Sequence, residues 1–170
     1  TQPRRVGREI ISGGILNAIG IDLGGTKMEA QVFDDAWSVA ARRRRATPKY
    51  YADLVTELAD LIRWADAQTS ETVPVGIGAA GLVNPNTGLA LTANLMATGQ
   101  PFPADIARTV ERPVTYVNDC RALALSEAIF GQGKGRRTVM ALILGTGVGG
   151  GITVDGAILQ GSTHTGGEFG

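Results

Sequence analysis

The strongest constraint on the fold is a short punctuation, Asp22-Leu23-Gly24-Gly25-Thr26-Lys27, set between two strand-like runs. The apolar Ile15-Leu16-Asn17-Ala18-Ile19-Gly20 leads in and the alternating Met28 to Phe33 leads out. The flanks read as strands over about 15–22 and 27–34, so the motif occupies a tight turn between antiparallel partners. Gly24 and Gly25 permit positive φ and close approach of a ligand. Their amides, the Thr26 hydroxyl and the Lys27 ammonium put several donors in one place, a combination that suits a phosphate. Asp22 would repel a phosphate directly, but it can hold a hydrated Mg²⁺ that bridges to one. A glycine-rich hairpin with an incidental lysine has the same local pattern, so the decision rests with the rest of the chain.

Asp34-Asp35 makes the next turn, and Trp37 to Ala41 continues into Arg42-Arg43-Arg44-Arg45 as a third strand, completing a meander. Successive strand residues face opposite sides, so the four arginines form no coherent patch for nucleic acid. Acidic and basic residues balance at 16 each, and no global field favours nucleic acid or an anionic membrane. Tyr51 to Gln68 has Leu54, Val55, Leu58, Leu61, Ile62 and Ala65 on one helical face, a stripe that reads as core packing. Val73 to Ala79 reads as a buried strand covered on both faces. It runs into the loop Ala80-Gly81-Leu82-Val83-Asn84-Pro85-Asn86-Thr87-Gly88, at a strand end of the kind where α/β sheets place ligands. Leu89 to Leu91 is a short strand, and Asn94 after it is a ligand contact or a turn residue.

A short helix over Pro103 to Val110, a strand over Pro113 to Val117 and a helix over Arg121 to Phe130 follow. Asp119, at the junction of that strand and helix, either caps the helix or serves as a catalytic carboxylate. Thr138 to Leu144 is an apolar strand running into Gly145-Thr146-Gly147-Val148-Gly149-Gly150-Gly151. Ile152 to Val154 returns, and Asp155-Gly156 signals a hairpin to Ala157 to Leu159. His164, the only histidine, lacks metal-ligating neighbours and reads as an ordinary loop residue.

A length of 170 residues suits one domain, or one domain and the start of another. Glycine supplies 24 of them, about twice the usual ~7%, which points to tight turns and ligand loops. The single cysteine, Cys120, allows no internal disulfide and no cysteine zinc site. A reducing, cytoplasmic compartment follows as the expectation, with no membrane span, since no apolar run reaches ~18 residues. Residues 1–14 read as an extension carrying Arg4, Arg5 and Arg8. No helix-turn-helix pattern follows them, so nucleic acid is not an expected partner.

The informative pattern is a repeat. A strand, a donor-rich glycine turn and a strand occur near residue 20 and again near residue 147. A P-loop needs Lys and Ser/Thr after a longer gap and opens a helix, so P-loop and Rossmann readings fit poorly. Two hairpin loops suit a nucleotide gripped from two sides of a cleft.

Four motifs in this order and spacing resemble the ROK family (repressor, open reading frame, kinase). They are Asp22 to Lys27, Asn118-Asp119, Leu144 to Gly151 and Gly166-Gly167-Glu168-Phe169-Gly170. The family belongs to the superfamily of sugar kinases, actin and heat-shock chaperones, and the resemblance covers about residues 17–170. It implies an α/β fold. Residues 15–117 would form a ribonuclease-H-like small domain with a mixed five-stranded sheet flanked by helices, and residues 118–170 would begin a second, similar domain. It implies ATP and Mg²⁺ as cofactors, with Asp22, Gly24, Gly25, Thr26, Lys27, Gly145, Thr146, Gly147 and Gly149 at the phosphates and metal. Asp119 matches the catalytic aspartate, which would accept the proton of a sugar hydroxyl as that oxygen attacks the γ-phosphoryl. Gly81, Asn94, Asn118, Asp119 and Glu168 match sugar-binding positions.

The implied activity is phosphorylation of a hexose or N-acetylhexosamine, at C6, by a homodimeric enzyme. The alternative is a sugar-responsive transcriptional regulator of the same family. About 20 residues precede Asp22, too few for a winged helix-turn-helix, and Asp119 is retained, so the kinase is preferred. An actin-like ATPase without a sugar site is disfavoured by Asn118-Asp119 and Glu168. Three departures stand out: Ala80-Gly81 where the family has Pro-Gly, Cys120-Arg121 where it has a small residue and asparagine, and Gly167 for a common alanine. Arg121 is expected near the sugar pocket, with an effect on substrate choice. The family's zinc-binding histidine and cysteines, adenosine pocket and returning helix would lie beyond Gly170, so the chain is expected to match the N-terminal half and to have weak or no kinase activity alone.

Overall fold

The computed structural model describes residues 16–144 and 148–169. The first three strands are β1 (Leu16–Leu23), β2 (Lys27–Asp34) and β3 (Val39–Ala46). They form the expected antiparallel meander, with Asp22 opposite Glu29 and Glu29 opposite Arg44. Helix α1 (Tyr51–Asp66) follows, then β4 (Val75–Ala79), the two-residue strands β5 (Leu82–Val83) and β6 (Ala90–Leu91), α2 (Phe102–Val110) and β7 (Thr115–Asn118). The five long strands make one mixed sheet in the order β3-β2-β1-β4-β7, with β4 parallel to both β1 and β7. This is the ribonuclease-H-like arrangement expected. The chain continues through α3 (Asp119–Ile129), β8 (Thr138–Leu144), β9 (Val148–Val154) and β10 (Ala157–Ile158). These last three strands form a second, antiparallel sheet in the order β10-β9-β8, with α3 packed on it.

The periodicity of each segment decides which face it buries. Leu54, Leu58, Leu61, Ile62 and Ala65 of α1 are buried against Met28, Ala30 and Val32 of β2 and Ile19, Ile21 and Leu23 of β1. Val55, expected in that stripe, is only partly buried at its edge. Phe102 of α2 is fully buried, edge-on to Tyr51 and Tyr116. The arginines of β3 divide between faces as strand geometry requires. Arg43 lies over the Trp64 ring at 4.5 Å, and Arg44 pairs with Glu29 at 2.6 Å.

Several boundaries move for identifiable reasons. The buried strand begins at Val75, because Pro74 has no N–H to give a ladder and contributes only its carbonyl, which accepts from Ile19 N. Helix α1 ends at Asp66, held by the Arg112 guanidinium, which bonds the Asp66 carboxylate and the Val73 carbonyl. The loop after β4 contains the short β5–β6 pairing, closed by Asn84, whose side chain accepts from the amides of Asn86 and Thr87. Asp155 and Gly156 have φ of 51° and 77°, the tight hairpin their dipeptide signals. On the second sheet, α3 covers the face carrying Ala141, while Met140, Leu142, Leu144 and Val148 are exposed on the other. No described helix is long and apolar enough to cross a membrane.

Candidate active site

The β1–β2 turn is built as the sequence predicts, but its glycines act differently. Neither Gly24 nor Gly25 has positive φ. The Gly24 amide donates to the Lys27 carbonyl at 3.0 Å and closes the turn, so it is not a donor for a ligand. Thr47 fastens the same turn, its hydroxyl donating to Gly24 O at 2.7 Å and its amide to Thr26 O at 3.0 Å. Gly25 is required by close approach. A Cβ there would stand 2.8 Å from both the Cβ and the carbonyl oxygen of Asn94. Asn94 is thereby brought against the turn, and Thr26 and Lys27 are left exposed at its tip.

Asp22 projects beside this turn from the end of β1. Although its side chain is exposed, its pKa is raised by partial desolvation, then by the charges of Asp119 and Glu29; Lys27 and Arg44 oppose the rise. Two carboxylates some hundred residues apart in sequence, Asp22 and Asp119, therefore stand within electrostatic range of each other, at the ends of β1 and β7 on either side of β4. Asp119 is the first residue of α3, where the helix dipole favours an anion. The cap is Asn118, which corrects one of the two roles open to Asp119. The Asn118 side-chain oxygen accepts from the amides of Cys120 and Arg121 at 2.9 and 3.2 Å, and its Nδ2 donates to Gly81 O at 3.3 Å. Asp119 also accepts from the Cys120 amide, at 2.9 Å, and is half-buried.

The other expected sugar positions converge on the same helix start. Gly81 takes φ of 120°, and a Cβ on it would fall 2.5 Å from Leu91 O. Arg121, on the first turn of α3, is buried at 7% exposure. Its Nη2 donates to the carbonyls of His164 and Gly166 at 2.8 and 3.0 Å, and its Nε lies 2.7 Å from Glu168 Oε1 without pointing along the N–H axis. Glu168 is thus drawn to within one ion pair of the helix that carries Asp119.

A cavity of about 330 Å³ opens here, lined by Gly81, Tyr116, Asn118, Arg121, Gln160 and His164 among others. Tyr116 has a buried hydroxyl without a hydrogen-bond partner among the described residues, and burial with the Asp119 charge pushes its pKa to about 12. Burial and Asp119 likewise push Cys120 to about 11. A larger cavity of about 500 Å³, between β3 and the start of α1, holds none of the expected site residues.

Gly145, Thr146 and Gly147 lie outside the described residues. Gly149 lies within β9, against Cys120 Sγ, and Gly151 lies against the Cys120–Arg121 backbone. Close packing on α3 accounts for both. The sequence reading missed Tyr116 and the partners of Arg121. A lone arginine in the apolar run Ala122-Leu123-Ala124-Leu125 and a lone glutamate in Gly166-Gly167-Glu168 are complementary signals, but nothing local pairs them.

Comparison with known proteins gives a consistent picture. The family model described as "ROK family" matches residues 18–170. The N-acetyl-D-glucosamine kinase of Yersinia pestis is 44% identical over 153 residues, covering 89% of this chain and 60% of that protein. The ROK family glucokinase of Streptomyces griseus, solved with glucose and AMPPNP, superposes with a TM-score of 0.78 at 33% identity, over 91% of this chain and 49% of that one. A ROK family transcriptional regulator, a homologue of the E. coli MLC protein, superposes with a TM-score of 0.73 at 24% identity, over 92% and 41%. At that identity the likeness shows a shared fold alone. The chain spans about half to three-fifths of the length of the curated kinases it matches.

Proposed function

Because the chain belongs to the ROK family, we propose that the protein is an ATP-dependent kinase of a hexose or N-acetylhexosamine, with residues 15–117 as one wall of its cleft and residues from 118 beginning the other. The carrying observation is Asp119, half-buried at the start of α3 and close enough to Asp22 to raise its pKa. A general base needs a fixed carboxylate beside the attacking hydroxyl. Asp119 has one oxygen held by the Cys120 amide, which sets the orientation of the carboxylate that would take the proton of a sugar O–H.

The phosphate side is the β1–β2 turn. The amides of Gly25 and Thr26, the Thr26 hydroxyl and the Lys27 ammonium would bind the phosphates, while Gly24 shapes the turn. Asp22 fits a metal: desolvation and then the charges of Asp119 and Glu29 disfavour its ionised form, and a divalent cation would offset that cost. When bound, Mg²⁺ would neutralise charge on the transferring phosphate. Asp119 accepts the proton of the sugar hydroxyl as that oxygen attacks phosphorus. Asn118, Gly81 and Glu168 surround the sugar on the cavity side, and Asn94 approaches it from the turn. The family relatives are kinases of N-acetylglucosamine and glucose, which supports this substrate class.

The test is a coupled ADP-release assay on the gene product as encoded in full, with N-acetylglucosamine, N-acetylmannosamine and glucose. Turnover that Asp119→Asn abolishes is the expected result. Sugar binding without turnover on any of them would overturn the kinase in favour of a sugar-sensing regulator.

A further inference from the structure

The contacts of Arg121 extend this reading of the site and rest on it. Arg121 is the most buried charged residue among the described residues, at 7% exposure, and the described partners of its guanidinium all lie in the segment 160–169. Two donors to the carbonyls of His164 and Gly166 fix the backbone of that segment, and Nε stands 2.7 Å from Glu168 Oε1. Oε1 is itself buried, while 26% of the Glu168 side chain stays accessible. A free glutamate side chain has three rotatable bonds and loses rotamer entropy when it binds. Here the ion pair with Arg121 narrows that freedom before any ligand arrives.

We propose that Arg121 is the positioning residue for Glu168: its guanidinium clamps the 160–169 segment to α3 and so orients the carboxylate as an acceptor for a sugar hydroxyl. Arg121 also lines the cavity, but its described hydrogen bonds go to the 160–169 segment. It aligns the acceptor with Asp119, because Arg121 and Asp119 sit on the same first turn of α3. The clamp couples the hydroxyl acceptor and the proposed base through one rigid element. It also makes arginine specific here, since a lysine has no planar fork to reach two carbonyls and a carboxylate at once.

The test is a double-mutant cycle read by calorimetric titration with N-acetylglucosamine and glucose, with AMPPNP titration and thermal melting as controls, on the gene product as encoded in full. Arg121→Met and Glu168→Gln should each weaken sugar binding by about tenfold, and the double variant should weaken it by about tenfold rather than a hundredfold, because both remove one coupled unit. AMPPNP affinity should be unchanged. Arg121→Lys, which keeps the charge and protects against unfolding, should still weaken sugar binding several-fold.

Additive losses in the double variant, equal loss of AMPPNP and sugar in Arg121→Met, or normal sugar binding in folded Arg121→Lys would each overturn the proposal. Normal sugar binding in Glu168→Gln would sink the assignment of Glu168 itself, and the role of Arg121 with it. Normal binding in Arg121→Met beside a defective Glu168→Gln would remove Arg121 alone.

Discussion

Gly149 lies directly over the Cys120 sulfur: a Cβ at position 149 would stand 2.6 Å from Sγ. Strand β9 therefore rests on the first turn of α3 with no room between them, and the helix that carries Asp119 is seated by a glycine. Gly149→Ala should destabilise the protein by about 1–3 kcal/mol through overpacking. Adding Cys120→Ala removes the sulfur that the new methyl meets, so the double variant should be more stable than Gly149→Ala alone. Urea denaturation of the four proteins of the cycle measures this, and strictly additive effects would count against the contact.

Asp119→Asn should remove turnover and keep the fold. Asparagine retains an oxygen to accept from the Cys120 amide, and the helix cap belongs to Asn118. Loss of a positioned base lowers the rate by about 10²–10⁴-fold. The same substitution removes a charge that raises the pKa of Asp22. An NMR titration of the Asp22 carboxyl should therefore move toward lower pH in Asp119→Asn, a readout independent of activity.

Asp22→Asn should stabilise the protein at neutral pH. The folded-state pKa of Asp22 is raised by partial burial, then by Asp119 and Glu29, so the folded state binds the proton more tightly than the unfolded one. The ionised carboxylate is then a cost that appears as pH rises through the folded pKa and vanishes below the unfolded pKa. The melting temperature of Asp22→Asn should exceed that of the parent at pH 7, and the gap should close on acidification. Phosphoryl transfer should be lost despite the gain.

Gly81→Ala should be costly, at about 2–4 kcal/mol. Its φ of 120° is closed to alanine, and the new Cβ would fall 2.5 Å from Leu91 O and 2.9 Å from Thr92 Cα. The displaced carbonyl would also leave Asn118 Nδ2. Gly88→Ala is the control: its φ is 72° with open space around it, so about 1–2 kcal/mol of backbone strain is the whole effect expected. Equal costs at the two positions, by thermal or urea unfolding, would refute the packing argument.

The candidate site was legible where its chemistry is carried by adjacent residues. Asp22 to Lys27 reads as a donor-rich hairpin turn from its flanking strands alone, and Asn118-Asp119 marks a strand end meeting a helix. What could not be read is which member of each pair does what. Gly24 turns its amide inward to Lys27 O, and Asn118 rather than Asp119 caps α3. Each choice is a matter of tenths of an ångström in backbone placement, to which residue type is blind. Arg121 was visible only as an unusual residue near the pocket, because its partners lie 43 to 47 positions later.

Local interactions are what the sequence by itself determined. The apolar stripe of α1, the alternation of β2, the basic third strand and the Asp155-Gly156 hairpin follow from periods and turn preferences that act over a few residues, and the structure realises them with shifts of one or two positions. Only the tertiary structure decided which residues meet. Asp22 feels the charge of Asp119 because β1 and β7 flank β4 in parallel, so both strands end at the same edge of the sheet, where α3 begins. Gly25 meets Asn94, Gly149 meets Cys120 and Arg121 meets Glu168 for the same reason. Close packing rewards contacts between surfaces that fit, whatever the sequence distance, and that complementarity exists only once the layers have assembled.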